Sequence, residues 1–359
     1  MGVLAKRSYQ VAAGGTCAAD GQPPAVYLEP VYAPSAQSSR RFLVHEADPT
    51  AMDRPLTDVL VLGTAYSHCG LVSEVETAVG VGRAQKRVRV RGERLLRVLS
   101  DGTLGASKAA PFERQPLDWS RAYGGRDYHA ESLLVKDPKL DESSKLGAYS
   151  CPRNTAGVGF AADVERGRLE GLPLPAQDDP DDPVEPDRLL AKGPLDWIDR
   201  PIAASYGPID VFTFPRCMFH AMRPDWQTPA RPIRELELGA LLESDLADRG
   251  LFDPPDPRIF NCAPAGLAVC RLEGNERVTL KNLHRDHGLV EFDLPGERPR
   301  LLIEPPNTKT YELEATLQTV LLEPDEDRVT LTWTGSMPVA AVFPEEMCGE
   351  MRHGVLWDG

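Results

Sequence analysis

Two hydrophobic patterns in the first hundred residues predict strands. Residues 57–64 form a short apolar run that ends in a glycine turn, which is typical of a buried strand. Residues 72–98 alternate instead, and valines take one face between 87 and 91 while arginines take the other. A period of two with a single apolar face indicates a half-buried strand, with one side in the core and the other in water.

The second half of the chain continues in short segments of the same kind. Strands are predicted at 266–272, 277–283, 289–294, 300–304, 310–323 and 328–334. The last two flank Pro324-Asp325-Glu326-Asp327, which predicts a hairpin. Helices are predicted at 235–249, where four leucines share a face before Gly250, and near 345–353, between Pro344 and Gly354. The fold class is therefore mainly β, as two β-rich lobes of sandwich or barrel type with few short helices.

An acidic, proline-rich stretch divides the two lobes. Residues 173–187 contain five prolines and six acids, a composition that buries little surface and predicts an exposed linker or long loop. The predicted organisation is an N-terminal domain at 1–172, a linker at 173–200 and a C-terminal domain at 201–359. An alternative is that the acidic stretch lies on the basic face at 83–97, which holds seven basic residues and one acid.

Composition and charge narrow the class of partner. The 359 residues include 33 prolines and 30 glycines, an excess that favours many turns and short elements. The net charge of −14 is uneven, with about +3 in residues 1–130 and about −17 in the rest. A mostly acidic chain does not suit nucleic acid, whereas the asymmetry suits electrostatic steering of a protein partner. No membrane span and no signal core are apparent, and the seven scattered cysteines fit a reducing cytoplasm.

Catalytic and metal motifs are mostly absent from the sequence. No phosphate-binding glycine loop, Gly-x-Ser-x-Gly, His-Glu-x-x-His or Cys-x-x-Cys occurs, so no cofactor or metal is predicted. His284 and His287 bracket a carboxylate but lie between strand patterns, which favours a polar turn over a metal site. Cys69 follows a buried strand without the strand–turn–helix pattern of a nucleophile. Asp118 and Asp196 lie beside tryptophans, which leaves a hydrolytic carboxylate pair open.

A block rich in aromatics and glycines between 111 and 160 is the most distinctive segment. It holds Pro116-Leu117-Asp118-Trp119-Ser120-Arg121-Ala122-Tyr123-Gly124-Gly125 and, after about 25 residues, Arg153-Asn154-Thr155-Ala156-Gly157-Val158-Gly159-Phe160. Glycine pairs allow positive φ or close approach of two backbones, and aromatics supply buried area. The block therefore predicts a built surface or a backbone-lined cleft. Arg121 either braces the glycine turn or forms an exposed hot spot for a protein partner.

The ordered set of motifs resembles the bacterial family called domain of unknown function 2169, which is found with type VI secretion systems. The matching segments lie in the same order at 58–66, 90–94, 111–125, 154–160, 260–264, 278–283, 292–295 and 328–333. Thr155 and Thr334 depart from the family pattern, which has proline and commonly arginine at those places.

The resemblance implies an adaptor or chaperone rather than an enzyme. Family members are encoded near the secreted spike, its Pro-Ala-Ala-Arg tip proteins and toxic effectors, and they are thought to load an effector without being secreted. The expected partner is a secreted effector or a tip or spike protein, with no nucleic acid and no membrane. The alternatives are a carbohydrate-active or other hydrolytic β enzyme, and a structural component of the secretion apparatus.

The hypothesis assigns partner contact to two groups of side chains. An interlobe cleft would bind a hydrophobic or extended segment through residues of the aromatic–glycine block, which are Trp119, Arg121, Tyr123, Asn154 and Phe160. Basic side chains of the alternating strand would steer an acidic partner, and these are Arg87, Arg89 and Arg91.

Overall fold

The computed structural model describes residues 2–12, 15, 17–35, 40–48, 54–136, 148–163, 165–193, 196–197, 199–214, 216–219, 257–306, 309–337 and 351–357. Within these ranges the protein is mainly β, as its hydrophobic alternation predicts. None of the described helices is long and apolar enough to cross a membrane.

The described part of the first 200 residues contains sixteen strands, most of them short. They are β1 (Gly2–Gln10), β2 (Ala18–Ala19), β3 (Val31–Pro34), β4 (Arg41–His45), β5 (Thr57–Val61), β6 (Gly63–Tyr66), β7 (Glu74–Val81), β8 (Ala84–Arg91), β9 (Leu96–Val98), β10 (Leu104–Ala106), β11 (Arg114–Leu117), β12 (Tyr123–Gly124), β13 (Val158–Gly159), β14 (Ala161–Ala162), β15 (Gln177–Asp178) and β16 (Leu190–Ala191).

Eight strands and a few helical segments complete the described elements. The strands are β17 (Ala268–Val269), β18 (Arg277–Lys281), β19 (Leu289–Asp293), β20 (Pro299–Glu304), β21 (Tyr311–Leu313), β22 (Thr316–Glu323), β23 (Arg328–Ser336) and β24 (Arg352–Trp357). The described α-helix is α1 (Tyr128–Val135), and 3₁₀ turns occur at Trp119–Arg121, Arg166–Arg168, Pro186–Arg188, Arg216–Phe219, Pro257–Phe260 and Pro324–Glu326.

Two large sheets and one smaller sheet share a single hydrophobic core. The six-stranded sheet has the order β17-β5-β22-β23-β1-β2, the five-stranded sheet β15-β8-β7-β18-β19, and the three-stranded sheet β21-β20-β24. The pairing of β5 with β22 is parallel, whereas the other pairings in these sheets are antiparallel. Inward side chains such as Val61, Val88 and Leu301 belong to one buried cluster, which explains the period-two alternation.

The predicted division into an N-terminal and a C-terminal β domain does not match this topology. In the six-stranded sheet β5 pairs with β22 and β1 pairs with β23, and in the five-stranded sheet β7 pairs with β18. Strands from before and after the acidic stretch therefore alternate within the same sheets. Local strand patterns indicate where strands occur but not which distant strand pairs with which, so the sequence did not show this mixing.

The acidic stretch is also not an exposed linker. Residues from Leu174 to Asp178 are buried, and β15 adds Gln177 and Asp178 to the edge of β8 opposite Val90 and Arg89. The alternative from the sequence, that this stretch lies on the basic face, matches the structure. The expectation failed because Asp178 is paired with arginines, so its charge can be buried.

The two predicted helices have different outcomes. The helix at 235–249 lies outside the described residues. Of the helix at 345–353, residues 345–350 also lie outside them, but Arg352 and His353 begin β24, so the prediction is wrong there. β24 pairs along its whole length with β20, which gives its peptide groups partners in a sheet. The hairpin at 324–327 is confirmed as a 3₁₀ turn that ends with Asp327 at a φ of 51°.

A buried carboxylate on β5 ties the six-stranded sheet to the loop at 261–266. Asp58 is fully buried and accepts hydrogen bonds from the backbone N–H groups of Cys262 (2.9 Å) and Ala263 (3.2 Å). It also accepts from Asn261 Nδ2 at 3.0 Å and pairs with Arg54 Nη1 at 2.8 Å. Burial raises the pKa of the Cys262 thiol, which therefore stays neutral beside this carboxylate. Four groups thus donate to or pair with the Asp58 carboxylate, which compensates for the burial of its charge.

The first prediction concerns this buried pair. Asp58→Ala should lower the free energy of unfolding by about 3–5 kcal/mol, because Arg54 and two loop N–H groups lose their acceptor in the interior. Urea unfolding followed by circular dichroism measures it. The matched control is Glu312→Ala, which removes an exposed ion pair with Arg300 and should change little. Equal effects of the two variants would contradict this account of Asp58.

Candidate functional site

The aromatic–glycine block forms two interlocked backbones. The N–H of Gly125 donates to the carbonyl of Asn154 at 2.8 Å, and the N–H of Phe160 donates to the carbonyl of Gly124 at 2.9 Å. A Cβ added to Gly124 would lie 2.0 Å from the Asn154 oxygen, and φ at Gly125 is +100°. The glycines are required because a side chain would separate the two segments. β12 and β13 consequently pair in parallel at this point.

Four of the five predicted contact residues in this block are buried. The exposed fractions of Trp119, Tyr123, Asn154 and Phe160 are 7%, 0%, 4% and 6%. Their polar atoms have internal partners, since the Tyr123 hydroxyl donates to the Leu189 carbonyl at 2.7 Å and Asn154 Nδ2 donates to the Trp119 carbonyl at 2.6 Å. The expectation of an exposed surface is corrected for these side chains. They hold the fold together, and only Trp119 borders a large cavity.

Arg121 is the member of this group that keeps access to solvent. Its side chain is 19% exposed, lies 3.8 Å from Asp118 Oδ2, and borders an open cavity of about 260 Å³ together with Arg94. Its carbonyl accepts from the N–H of Ala176 at 2.8 Å. Arg121 therefore braces the turn through its backbone, as one of the two sequence interpretations predicted, while its guanidinium faces a cavity.

The three steering arginines are engaged by acids of the same chain. Arg89 Nη2 contacts Asp178 Oδ2 at 2.7 Å, and Arg91 Nη1 contacts the same oxygen at 3.2 Å. Arg87 Nη2 pairs with the exposed Asp181 at 2.7 Å. Hydrogen bonding to Asp178 raises the pKa of Arg89. These three arginines are therefore neutralised within the protein, and Arg87 is the most exposed of them.

A cavity of about 400 Å³, called the groove below, opens beside these ion pairs. One side is the β8 edge at residues 85–87, and Asp179 and Asp181 follow β15 at one end. The loop 264–266 stands at the other end, where the carbonyl of Gly266 accepts from the N–H of Gln85 at 2.9 Å. The apolar wall of the groove consists of Trp119, Ile202, Ala203, Ala204, Ile209 and Phe214. This volume is within the usual range of small-ligand or side-chain pockets.

Rigid elements hold the wall of the groove. Trp119 Nε1 donates to the carbonyl of Pro208 at 2.9 Å, which fixes the indole. Arg153 also lines the groove, and its guanidinium lies 4.9 Å from the Trp197 ring, a cation–π contact. Because Trp119 and Arg153 belong to the aromatic–glycine block, this block shapes the groove from behind rather than forming an exposed surface.

Lys86 is a further charged residue of the groove. Its Nζ donates to the carbonyl of Ala265 at 3.3 Å. Burial lowers the pKa of Lys86 below its ordinary value of 10.5, and the charge of Asp179 partly offsets this. Lys86 belongs to an ordinary strand alternation, so the sequence carries no signal that it would border a cavity.

The other sequence candidates have structural roles. The Nδ1 of His284 accepts from the N–H groups of Asp286 (3.1 Å) and His287 (3.2 Å), while its Nε2 bonds Asp327 at 2.7 Å, so it organises a polar turn as predicted. Asp118 caps the turn at Trp119 by accepting from the N–H of Ser120, and Asp196 accepts from the N–H of Lys192. Cys69 is exposed. The described residues contain no cluster of three metal-ligating side chains.

Comparison with known proteins identifies the family. The profile of the bacterial family described as "Uncharacterized protein conserved in bacteria (DUF2169)" matches residues 1–334. The chain belongs to this family. Searches of curated proteins and of solved structures find no match. Membership confirms the family resemblance drawn from the ordered motifs, and Asp58, Asn261 and the block around Gly124 show what three of those motifs do in the fold.

The second prediction concerns the titration of Lys86. Its pKa is lower in the folded than in the unfolded protein, so the unfolded state binds more protons between these two values. Folding stability should therefore rise with pH through that window, up to about 10.5. Lys86→Met should remove this component. Carbon-13 NMR of dimethylated lysines should show one resonance, absent in Lys86→Met, that titrates below 10.5. A Lys86 midpoint at or above 10.5 would contradict the assignment.

The third prediction distinguishes the buried ion pairs of β8 from its exposed ion pair. Asp178→Ala should destabilise the protein by about 3 kcal/mol, since it leaves Arg89 and Arg91 without their shared partner. Asp181→Ala removes a carboxylate with a 74% exposed side chain and should have little effect. Chemical unfolding of both variants measures the difference. A loss of stability in Asp181→Ala as large as in Asp178→Ala would contradict this difference between the buried and the exposed ion pairs.

Proposed function

We propose that this protein is a cytoplasmic adaptor or chaperone for type VI secretion, which binds a secreted effector or a spike-tip protein and assists its loading onto the spike. The proposal is motivated by the family resemblance, which implies an association with secretion genes. The observation that carries it is the groove, which combines an apolar wall, a strand edge and charged side chains of both signs. Such a combination suits reversible binding of a protein segment.

The groove takes the place of the surface first expected at the aromatic–glycine block. Trp119 belongs to the apolar wall, whereas Tyr123, Asn154 and Phe160 are buried and do not line the groove. Arg87 also lines the groove, and its side chain forms an exposed ion pair with Asp181, which contributes little to stability. Asp118 and Asp196 are occupied by backbone N–H groups, and this gives no support to a hydrolytic pair.

The fourth prediction is tested with any toxin and tip proteins that are encoded beside the gene, each purified separately. The wild type should bind one of them, and Ile202→Glu should weaken that binding at least tenfold because it places a charge on the apolar wall. The matched control is Leu71→Glu, at an exposed position (67%) that does not line the groove. Isothermal titration calorimetry measures the affinities, and circular dichroism checks folding.

Two results would contradict the proposal. The first is failure of the wild type to bind any of these proteins. The second is stable incorporation of the protein into purified spikes, which would favour a structural component of the apparatus. Equal weakening by both variants would remove the groove from the binding surface.

A further inference from the structure

The outer edge of β8 has a gap in its hydrogen-bond ladder at Arg87. The N–H of Gly92 donates to the Ser73 carbonyl at 3.0 Å, so in the register of β7 and β8 the even-numbered residues bond to β7. The odd-numbered residues face away from β7. Accordingly, the N–H of Arg91 donates to Ala176 at 2.8 Å, and the N–H of Gln85 donates to Gly266. Arg87 lies between these two outward bonds.

The chain itself explains why β15 does not reach Arg87. The register pairs Gln177 with Val90 and Asp178 with Arg89, so continuing it would place Pro180 opposite Arg87. Proline has no N–H to donate, and a turn closed by the N–H of Asp182 and the carbonyl of Asp179 (3.1 Å) leads the chain away. No other described segment pairs with this edge at Arg87. Its peptide N–H and carbonyl therefore face the groove.

Apolar and charged residues line the groove beside this gap. The apolar wall and Lys86 line the same space as the strand edge, and Lys86 has Ala265 as its hydrogen-bond acceptor among the described residues. An ammonium has three donors, so a bound carboxylate would complete its shell. The edge at Arg87 presents both an N–H donor and a carbonyl acceptor, which a peptide backbone matches and a nucleic-acid or lipid phosphate does not. Lys86 then favours a peptide with an acidic side chain placed away from Asp179 and Asp181, which border the same space.

We propose that the groove binds an extended peptide segment by strand addition, with one residue bonding the N–H and carbonyl of Arg87 and a neighbouring Asp or Glu reaching Lys86. The segment continues the short strand that β15 begins and packs apolar side chains against the wall at Ile202 and Phe214. This inference rests on the proposed function only for the identity of the protein that supplies the segment. The strand edge at Arg87, the apolar wall and the Lys86 ammonium determine which kind of peptide binds.

A displayed library of random heptapeptides, selected on the immobilised full-length protein, tests this binding mode. The expected sequences have alternating β-branched residues and one acid. A synthetic selected peptide should bind Arg87→Ala within about threefold of the wild type but Arg87→Pro at least tenfold more weakly, since only proline removes the outward N–H. Proline is tolerated at this position because the N–H does not bond to β7.

One variant of the protein and one of the peptide test the contact between Lys86 and the acidic side chain. Lys86→Met should weaken the acidic peptide about tenfold and leave its Glu→Gln or Asp→Asn counterpart unchanged. If Arg87→Pro does not fold, an N-methyl scan of the peptide on the wild type replaces it, and methylation should abolish binding at the residue that donates to the Arg87 carbonyl. Hydrogen exchange should then show protection of the amide of Arg87 in the complex.

The results separate this inference from the proposed function. Failure to select any peptide, or equal binding to Arg87→Ala and Arg87→Pro, would overturn strand addition. So would an N-methyl scan without a sensitive position. If the neighbouring effector still binds while Arg87→Pro and Lys86→Met leave its affinity unchanged, the adaptor function stands and the binding mode fails. If peptides bind as expected but no neighbouring protein does, the site stands and the adaptor function fails.

Discussion

The buried carboxylate of Asp58 is the constraint on which the sheets and the groove both depend. It lies on β5, between the edge strand β17 and β22 in the six-stranded sheet, and it fixes the backbone at Cys262 and Ala263. The same loop continues to Gly266, which bonds Gln85 at the end of the groove. A charge placed in the core is stable only when fully paired, so this single side chain sets the position of a distant loop against the second sheet.

The strands, the hairpin and the mainly β class were predictable because alternation and turn residues are local signals. The pairing of β5 with β22 and of β7 with β18 was not, since partners far apart in sequence leave no mark on either strand alone. The prediction that the acidic stretch is an exposed linker was wrong for a related reason. Its composition indicates exposure, but Asp178 is buried by Arg89 and Arg91 from another segment.

The candidate site was predictable in part. The block containing Trp119 and Gly124 was recognised as important, yet composition does not distinguish aromatics that line a surface from those that support one. Its glycines are required because two backbones touch, and this contact buries Tyr123 and Phe160. Lys86 was missed because a lysine in an alternating strand is ordinarily solvated. Its pKa is lowered by burial among segments that are distant in sequence.

Binding of a secretion-machinery protein in the groove is the central proposal. Site-specific photo-crosslinking in the native bacterium tests it most directly, with benzoylphenylalanine at Ile202 in the apolar wall and at exposed Leu71 as the control. The account predicts a crosslink from position 202, identified by mass spectrometry as an effector or spike-tip protein, and none of this product from position 71. Absence of that product at 202, or equal yields at both positions, would contradict it.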